Sequence, residues 1–278
     1  PYHQREDWWL PFFFWVYGAF MNLYRDPLFS PRLLSVVLGS LSLLPFYGVA
    51  RRMSDGRRWG ALLATCAAAL TPLGFEAGFD VYFEPLFVLL LLSWLYFWLR
   101  WLESSRALWH GLSVLCLAAA AMTRYEAWFF VAAFLALTRR HRLYGWRCLT
   151  AGPVLLCLVH QLVSSGHLQF LADTSNPAES RWGHIESVLE YVFLGGALLP
   201  LALLGYLKTG LRRAERCEAL GLTVAPLVLF IAAVLVLNSY NFAVHLLPFQ
   251  MMILLWIAPL AEEVLRGVPQ ERRVIIFL

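Results

Sequence analysis

The sequence predicts an all-α fold, a polytopic bundle of transmembrane helices. Of the 278 residues, 60% are hydrophobic and 14% are charged, and the mean hydropathy is +0.63. Soluble domains are about 45–50% apolar and about 25% charged, so this composition is typical of a membrane protein. Apolar stretches of roughly 15–22 residues recur between short charged loops, which is the spacing of membrane-spanning helices. Alternating strands of about ten residues, the pattern of a membrane β-barrel, are missing from the sequence.

The apolar stretches define about nine or ten membrane helices. In chain order they are residues 9–24, 33–50, 58–73, 81–101, 107–122, 126–138, 146–163, 187–206, 218–237 and 243–261. The first and sixth are short and rich in aromatic residues, so either could lie at the membrane interface or re-enter the membrane instead of spanning it. We expect the helices to form a single transmembrane domain over residues 1–278.

The ends of the chain and one long loop fall outside these helices. The sequence starts at Pro1 without a methionine or a signal peptide, and it ends in "VIIFL", which is typical of a helix that is beginning. We therefore expect at least one helix before residue 1 and more after Leu278. The loop at residues 164–186 contains two histidines and an Asn-Pro turn, and long loops of this kind are often functional or disordered.

The distribution of charge predicts the orientation of the bundle. On one side lie 17 of the 22 Lys and Arg residues: Arg51, Arg52, Arg57, Arg58, Arg100, Arg106, Arg139, Arg140, Arg142, Arg147, Lys208, Arg212, Arg213, Arg216, Arg266, Arg272 and Arg273. The positive-inside rule places these loops in the cytoplasm. The opposite side carries the other five arginines and 11 of the 18 carboxylates. The loop at residues 164–186 is then extracytoplasmic.

Several other function classes are not supported by the residue pattern. The basic residues are spread over separate loops, so the net charge of +4 does not indicate nucleic-acid binding. The five cysteines have no paired spacing and indicate neither a metal site nor a disulfide framework. The helix centres are almost free of charge, whereas an ion-coupled transporter needs ionisable groups near the midplane.

The stretch "AAMTRYEAWFFVA" places Arg124 and Glu126 where one helix emerges on the outer side and the next begins. The planar guanidinium of Arg124 could bind a phosphate through two parallel hydrogen bonds. Glu126 is close enough to orient it. The alternative is a boundary ion pair, with the arginine snorkelling outward from the helix end. The sequence leaves both alternatives open.

Other polar residues on the outer side are further candidates. Glu76, Asp80 and Glu84 are spaced by four, which would place them on one helix face, where they could hold a divalent cation; a solvated acidic loop is the alternative. Glu6 and Asp7 lie beside the Trp8–Trp9 pair, and a carboxylate held against aromatic surface can act as a general base. His245 lies just inside the outer end of the last segment, where a structural role competes with substrate binding.

Three stretches taken in order resemble the GT-C membrane glycosyltransferases, and within them the bacterial dolichyl-phosphate-mannose-protein mannosyltransferase-like group. They are "DPLFSPRLLSVVLGSLSLLPFYGVARRM", "GALLATCAAALTPLGFEAGFDVYFEPLFVLLLL" and "HGLSVLCLAAAAMTRYEAWFFV". The matching signals are the "PRLLS" helix start, a short alanine-rich helix that ends in a proline, "EPLF" at Glu84–Phe87 and "TRYE" at Thr123–Glu126. The resemblance covers residues 8–138 well and the remainder loosely.

The resemblance implies a hexosyltransferase that takes a sugar from a polyprenyl-phosphate carrier on the outer membrane face. In such enzymes a carboxylate in the first outer loop is the catalytic base and basic residues hold the lipid phosphate. Asp7 and Glu6 are the catalytic candidates in this chain, although the principal carboxylate could precede Pro1. Where many members have an Arg-Tyr pair before "LLP", this chain has Val244 and His245, which weakens phosphate binding by that element unless His245 donates a hydrogen bond.

The sequence therefore predicts sugar transfer to an acceptor hydroxyl at the extracytoplasmic face of a bacterial inner (plasma) membrane. The substrate- and phosphate-binding candidates are Arg124, Glu126, Glu84, Asp80 and His245. The expected partners are a polyprenyl-phosphate-linked sugar, a protein, lipid or glycan acceptor, and membrane lipid, without nucleic acid. No cofactor or resident metal is assigned, and a divalent cation stays open. A lipid flippase or permease and a non-catalytic membrane scaffold are the alternatives.

Overall fold

The computed structural model describes residues 10–26, 28–70, 84–141, 143–165, 204, 214–237 and 247–267. Within these ranges the secondary structure is helical and contains no strand. The helices are α1 Pro11–Leu23, α2 Phe29–Met53, α3 Arg58–Ala69, α4 Glu84–Ser104, α5 Ala107–Ala121, α6 Ala127–Thr138, α7 Tyr144–Cys148, α8 Ala151–Ser165, α9 Ala214–Leu237, α10 Leu247–Leu254 and α11 Ile257–Arg266. The predicted all-α fold is confirmed.

Four helical stretches among the described residues are long and apolar enough to cross a membrane. They are Phe29–Met53, Glu84–Ser104, Tyr144–Val163 and Pro248–Arg266, and shorter apolar helices lie at Ala107–Ala121, Ala127–Thr138 and Gly221–Ala233. Apolar side chains on the outside of the bundle, such as Leu156, Val159 and Val163 of α8, are exposed, as the lipid-facing surface of a membrane helix should be. The chain is an integral membrane protein.

Helix α2 extends beyond both ends of the segment 33–50 that hydropathy predicts. At its start Asp26 Oδ1 accepts hydrogen bonds from the backbone N–H groups of Leu28 and Phe29, both at 2.9 Å. These two bonds lower the pKa of the Asp26 carboxyl below its usual value. At its end Arg51 and Arg52 lie in the last turn, where positive charge is favourable. Polar end groups, which hydropathy ignores, therefore set both ends of α2.

Two predicted single helices are interrupted in the structure. The segment predicted at 146–163 is divided into α7 and α8, and the segment predicted at 243–261 contains the break between α10 and α11. In each case the second helix begins two residues before a proline, Pro153 or Pro259. In the first turn of a helix the backbone N–H groups have no intrahelical partner, so a proline, which lacks an N–H, is tolerated there. In the middle of a continuous helix the same proline would remove a hydrogen bond, so it favours the start of a new helix.

Helix α4 forms the centre of the bundle and packs against α2, α5 and α10. Trp94 and Trp98 of α4 are fully buried. The ring of Trp94 makes edge contacts with Phe130 and Phe134 of α6, with centroids 6.0 and 5.4 Å apart. Such contacts between apolar side chains hold α4, α5 and α6 together and position the polar groups at the ends of α4.

The two ends of the bundle differ in charge. At one end Glu84 opens α4, close to Arg124; we call this the Arg124 end. At the other end Arg52 of α2 pairs with Glu103 of α4 at 2.9 Å; we call this the Arg52 end. From Glu84 to Trp101 the helix rises about 25 Å, which approaches the ~30 Å thickness of a bilayer core.

Gly60 of α3 permits the closest approach between α3 and α11. A Cβ on Gly60 would lie 2.3 Å from the carbonyl oxygen of Ala258 and 2.8 Å from Cβ of Glu262. We expect Gly60→Ala to push α11 away and to lower the free energy of unfolding by about 1–3 kcal/mol, measured by thermal unfolding in detergent. Gly111→Ala is the matched control because a Cβ there meets nothing within 4 Å; equal melting of the two variants would contradict this packing.

Candidate functional site at the Arg124 end

A short turn, residues 122–126, joins α5 to α6 and carries both charged residues of "TRYE". The turn is held by backbone hydrogen bonds: the N–H of Arg124 donates to the carbonyl of Ala120 at 3.1 Å, and the N–H of Ala127 donates to that of Arg124 at 3.2 Å. The hydroxyl of Thr123 donates to the carbonyl of Ala119 at 2.8 Å. Because the turn is tight, Arg124 and Glu126 lie side by side.

Arg124 is bound by two carboxylates. Its Nε donates to Glu126 Oε2 at 3.1 Å and its Nη2 donates to Glu126 Oε1 at 2.7 Å, which is a bidentate pair. Its Nη1 donates to Glu84 Oε1 across 40 residues of sequence. The three side chains are only 10%, 5% and 4% exposed, respectively. The structure therefore shows an ion pair, but a buried one and not an arginine that snorkels outward.

The cluster carries one positive and two negative charges in a poorly hydrated place. Burial alone would lower the pKa of the Arg124 guanidinium, but the charges of Glu126 and Glu84 and the hydrogen bonds to both raise it above its usual value. The arginine therefore stays charged. Buried charges are costly unless paired and hydrogen-bonded, so each carboxylate depends on Arg124 for its stability in this position.

One oxygen of Glu84 has no hydrogen-bond partner among the residues that the structure describes. Its Oε2 is buried and makes no hydrogen bond to the described residues. Most buried polar atoms in proteins have a partner, so an exception calls for an explanation such as a bound group or water. Beside it, the hydroxyl of Tyr17 in α1 is hydrogen-bonded to Ser35 of α2 at 2.8 Å. Glu84 Oε2 therefore has room for a hydrogen bond from a bound hydroxyl group.

The start of α1 lies against the same turn. The backbone N–H of Phe12 donates to the carbonyl of Met122 at 3.1 Å, two residues before Arg124. On the other side, Gln161 of α8 donates its Nε2 to the hydroxyl of Tyr125 at 2.7 Å. Helices α1, α4, α5, α6 and α8 thus meet around one polar cluster at the Arg124 end.

The structure brings together three of the predicted site residues, Arg124, Glu126 and Glu84. Outside the described residues lie the predicted catalytic pair Glu6 and Asp7, the binding candidates Asp80 and His245, Glu76 of the acidic stripe and residues 166–186 of the predicted loop. The first two residues of that loop, 164 and 165, end helix α8. Among the residues that the structure does describe, no three His, Cys, Asp or Glu side chains converge as metal ligands. Sequence reasoning did not single out Tyr17, because a lone tyrosine in an aromatic-rich segment carries no spacing signal.

A second buried polar cluster lies at the Arg52 end. Arg147, which the charge pattern assigns to a cytoplasmic loop, is fully buried. Its Nε donates to His110 Nε2 at 3.3 Å and its Nη1 donates to the Thr138 carbonyl. Its guanidinium carbon lies 5.0 Å from the ring centre of Trp98 and 5.4 Å from that of Trp101. The charge pattern places Arg147 in a loop, whereas in the structure it lies in α7 and its side chain is enclosed by residues of α4 and α5.

Glu218 of α9 completes this second cluster. Its carboxylate accepts from Trp98 Nε1 at 3.1 Å and is 2.7 Å from His141 Nε2. The cluster therefore ties α4, α5, α6, α7 and α9 together about 25 Å from Glu84 along α4. It contributes to the stability of the bundle and does not contact the candidate site.

The comparison with protein families decides the affiliation of the chain. The family "dolichyl-phosphate-mannose-protein mannosyltransferase" matches residues 10–164, which is more than half of the chain. The chain belongs to this family. No curated protein and no solved structure matches the sequence significantly. The matched region contains α1 to α7, α8 up to its penultimate residue and all of the Arg124 cluster, so the family match and the buried polar site coincide. Membership of this family implies glycosyltransferase activity in the membrane.

Proposed function

We propose that this mannosyltransferase-family protein transfers a sugar from a polyprenyl-phosphate carrier to the hydroxyl of an acceptor at the extracytoplasmic membrane face. The observation that carries the proposal is the buried Arg124–Glu84–Glu126 cluster at one end of the bundle. Arg52 and its neighbours at the opposite end favour a cytoplasmic location for that end by the positive-inside rule. A polyprenyl-phosphate carrier could then place its phosphate beside Arg124 while its hydrocarbon tail stays in the lipid bilayer.

The proposed reaction is a displacement at the anomeric carbon. A carboxylate removes the proton of the acceptor hydroxyl, the oxygen attacks the anomeric carbon, and the bond to the phosphate oxygen breaks with inversion. The bonding electrons leave with the polyprenyl phosphate. Asp7 and Glu6 are the proposed bases. Phe12 is the fifth residue after Asp7, and five residue steps span at most about 18 Å, so Asp7 is within reach of the turn that carries Arg124.

Arg124 is the proposed stabiliser of the leaving phosphate. A guanidinium offers five N–H donors and matches phosphate oxygens as well as carboxylate oxygens. When the polyprenyl-phosphate sugar binds, Arg124 would exchange its contact with Glu84 for a contact with the phosphate. Glu84 is the partner suited to such an exchange, since it holds Arg124 by a single oxygen whereas Glu126 holds it by two. Released Glu84 could then accept a hydroxyl of the sugar or the acceptor.

Reconstitution tests the proposed function directly. The full chain in proteoliposomes, given radiolabelled polyprenyl-phosphate mannose and a membrane extract of acceptors, should produce labelled acceptor and an equal amount of polyprenyl phosphate. Asp7→Asn should lower the rate by about 100–10,000-fold if Asp7 is the general base. Labelled lipid that changes leaflet without a new glycosidic bond would indicate a flippase instead. If neither occurs, the scaffold alternative would hold.

A further inference from the structure

A cavity at the Arg52 end lies between the α2–α3 turn and α11. Its volume is about 380 Å³, and it is lined by Arg51, Gly56, Arg57, Arg58, Trp59 and Glu262. Ligand sites in proteins measure roughly 300–1,000 Å³, so the space is sufficient for a small polar group. The cavity adjoins the last turn of α2 and the last turns of α11, which are ends of two candidate membrane spans. It therefore lies at the depth of lipid headgroups.

The wall formed by the α2–α3 turn is fixed by local hydrogen bonds. Gly56 has φ +78 and Asp55 has φ 57, so the chain reverses through two left-handed residues. The N–H of Gly56 donates to the carbonyl of Arg51 at 2.8 Å, and Nε of Arg51 donates back to the carbonyl of Gly56 at 2.8 Å. The side chain of Arg51 is thus folded over the turn, and its position does not require a ligand.

Glu262, the carboxylate among the described residues that line the cavity, already has two partners. Glu262 is buried and accepts from the N–H of Gly60 at 3.0 Å, and it lies 3.5 Å from Nη1 of Arg57. The first of these contacts satisfies one N–H group in the first turn of α3. Glu262 therefore neutralises Arg57, and among the described lining residues no second carboxylate remains for the other two arginines.

Arg51 and Arg58 are exposed, and neither forms an ion pair with any residue that the structure describes. By contrast, Arg52 next to them pairs with Glu103 at 2.9 Å. The guanidinium carbon of Arg58 lies 5.0 Å from the ring centre of Trp59. Tryptophan is enriched at the level of the headgroups, and arginine binds phosphate oxygens through parallel hydrogen bonds. One cavity is thus shared by a tryptophan and by two arginines that have no ion-pair partner in the described part of the chain.

We propose that this cavity binds the phosphate headgroup of an anionic phospholipid from the leaflet at the Arg52 end. The charge of the cavity is complementary to a phosphodiester, its depth suits a lipid that remains in the bilayer, and basic pockets between membrane helices are known to hold such headgroups. The site lies at the far end of the bundle from the Arg124 cluster. The proposal is independent of sugar transfer, because none of its residues belongs to the candidate site.

Native mass spectrometry of the detergent-solubilised full chain tests the proposal. Phosphatidylglycerol and phosphatidylcholine are added separately. We expect phosphatidylglycerol to bind about 25-fold more tightly, because each of the two arginines should raise the affinity for an anionic lipid about fivefold. Arg58→Gln should weaken phosphatidylglycerol binding about fivefold, and Arg51→Gln with Arg58→Gln about 25-fold. The single variant keeps the Arg51 contact with Gly56, so it remains informative if the double variant alters the turn.

The matched control is Arg139→Gln with Arg140→Gln. These arginines are exposed at the end of α6, on the same side of the bundle but not in the cavity. Removing them takes away the same charge and should leave phosphatidylglycerol binding unchanged. An equal loss in both double variants, or no preference over phosphatidylcholine, would overturn the proposal. Inorganic phosphate that binds as tightly as phosphatidylglycerol would also overturn it, because the site would then recognise the free anion.

Discussion

Replacing Arg124 by glutamine is expected to lower the rate of sugar transfer by about 100–1,000-fold. This is the usual effect of losing one preorganised hydrogen-bond donor that stabilises the negative charge developing in the transition state. The same change should destabilise the protein. Without the guanidinium, Glu84 and Glu126 remain buried next to each other with no counter-charge, and breaking a buried pair in this way costs about 3–5 kcal/mol. Transfer is measured in proteoliposomes, and stability is measured by thermal unfolding in detergent.

A double variant separates the two effects of Arg124. Arg124→Gln combined with Glu84→Gln restores the original net charge of the cluster, so much of the lost stability should return. Transfer should not return, because the donor that faces the phosphate is still missing. If the double variant recovers both, Arg124 has only a structural role and the assignment fails. Arg32→Gln is the matched control, since Arg32 is exposed near the start of α2 and should change the rate less than about twofold.

Arg147→Met is expected to give the largest loss of stability without a matching loss of transfer. Methionine fills most of the space, but it leaves Nε2 of His110 and the carbonyl of Thr138 without their donor and removes the contacts with Trp98 and Trp101. Two unsatisfied buried acceptors and the lost contacts with the two rings together cost about 3–5 kcal/mol. The melting temperature should fall by roughly 6–15 °C.

Arg140→Met is the control for this prediction. Arg140 is exposed seven residues before Arg147, and surface substitutions usually change stability by less than about 0.5 kcal/mol. Transfer per folded molecule should stay near the wild-type rate in both variants at low temperature, because the Arg147 cluster lies about 25 Å from Glu84 along α4. Equal melting temperatures of the two variants would contradict the enclosed position of Arg147. A loss of transfer in Arg147→Met alone would show that the Arg147 and Arg124 clusters are coupled.

The sequence by itself determined the fold class and most of the helices. Hydropathy is a sum over neighbouring residues, so a window of the chain is sufficient to evaluate it. The predicted segments at 107–122 and 126–138 match α5 and α6 closely. The unequal distribution of arginines was also visible without a structure, and the motifs at Glu84–Phe87 and Thr123–Glu126 pointed to the family that the comparison confirmed.

Only the tertiary structure decided which charges meet. Arg124 is bound to Glu84, which is 40 residues earlier in the sequence, and no spacing rule connects positions so far apart. The charge pattern counts Arg147 among the basic residues of a cytoplasmic loop and carries no signal that its side chain is enclosed. Its burial depends on rings from α4 and a histidine from α5 that packing brings around it. Such contacts follow from the positions of whole helices, whereas hydropathy and charge counts are properties of local sequence.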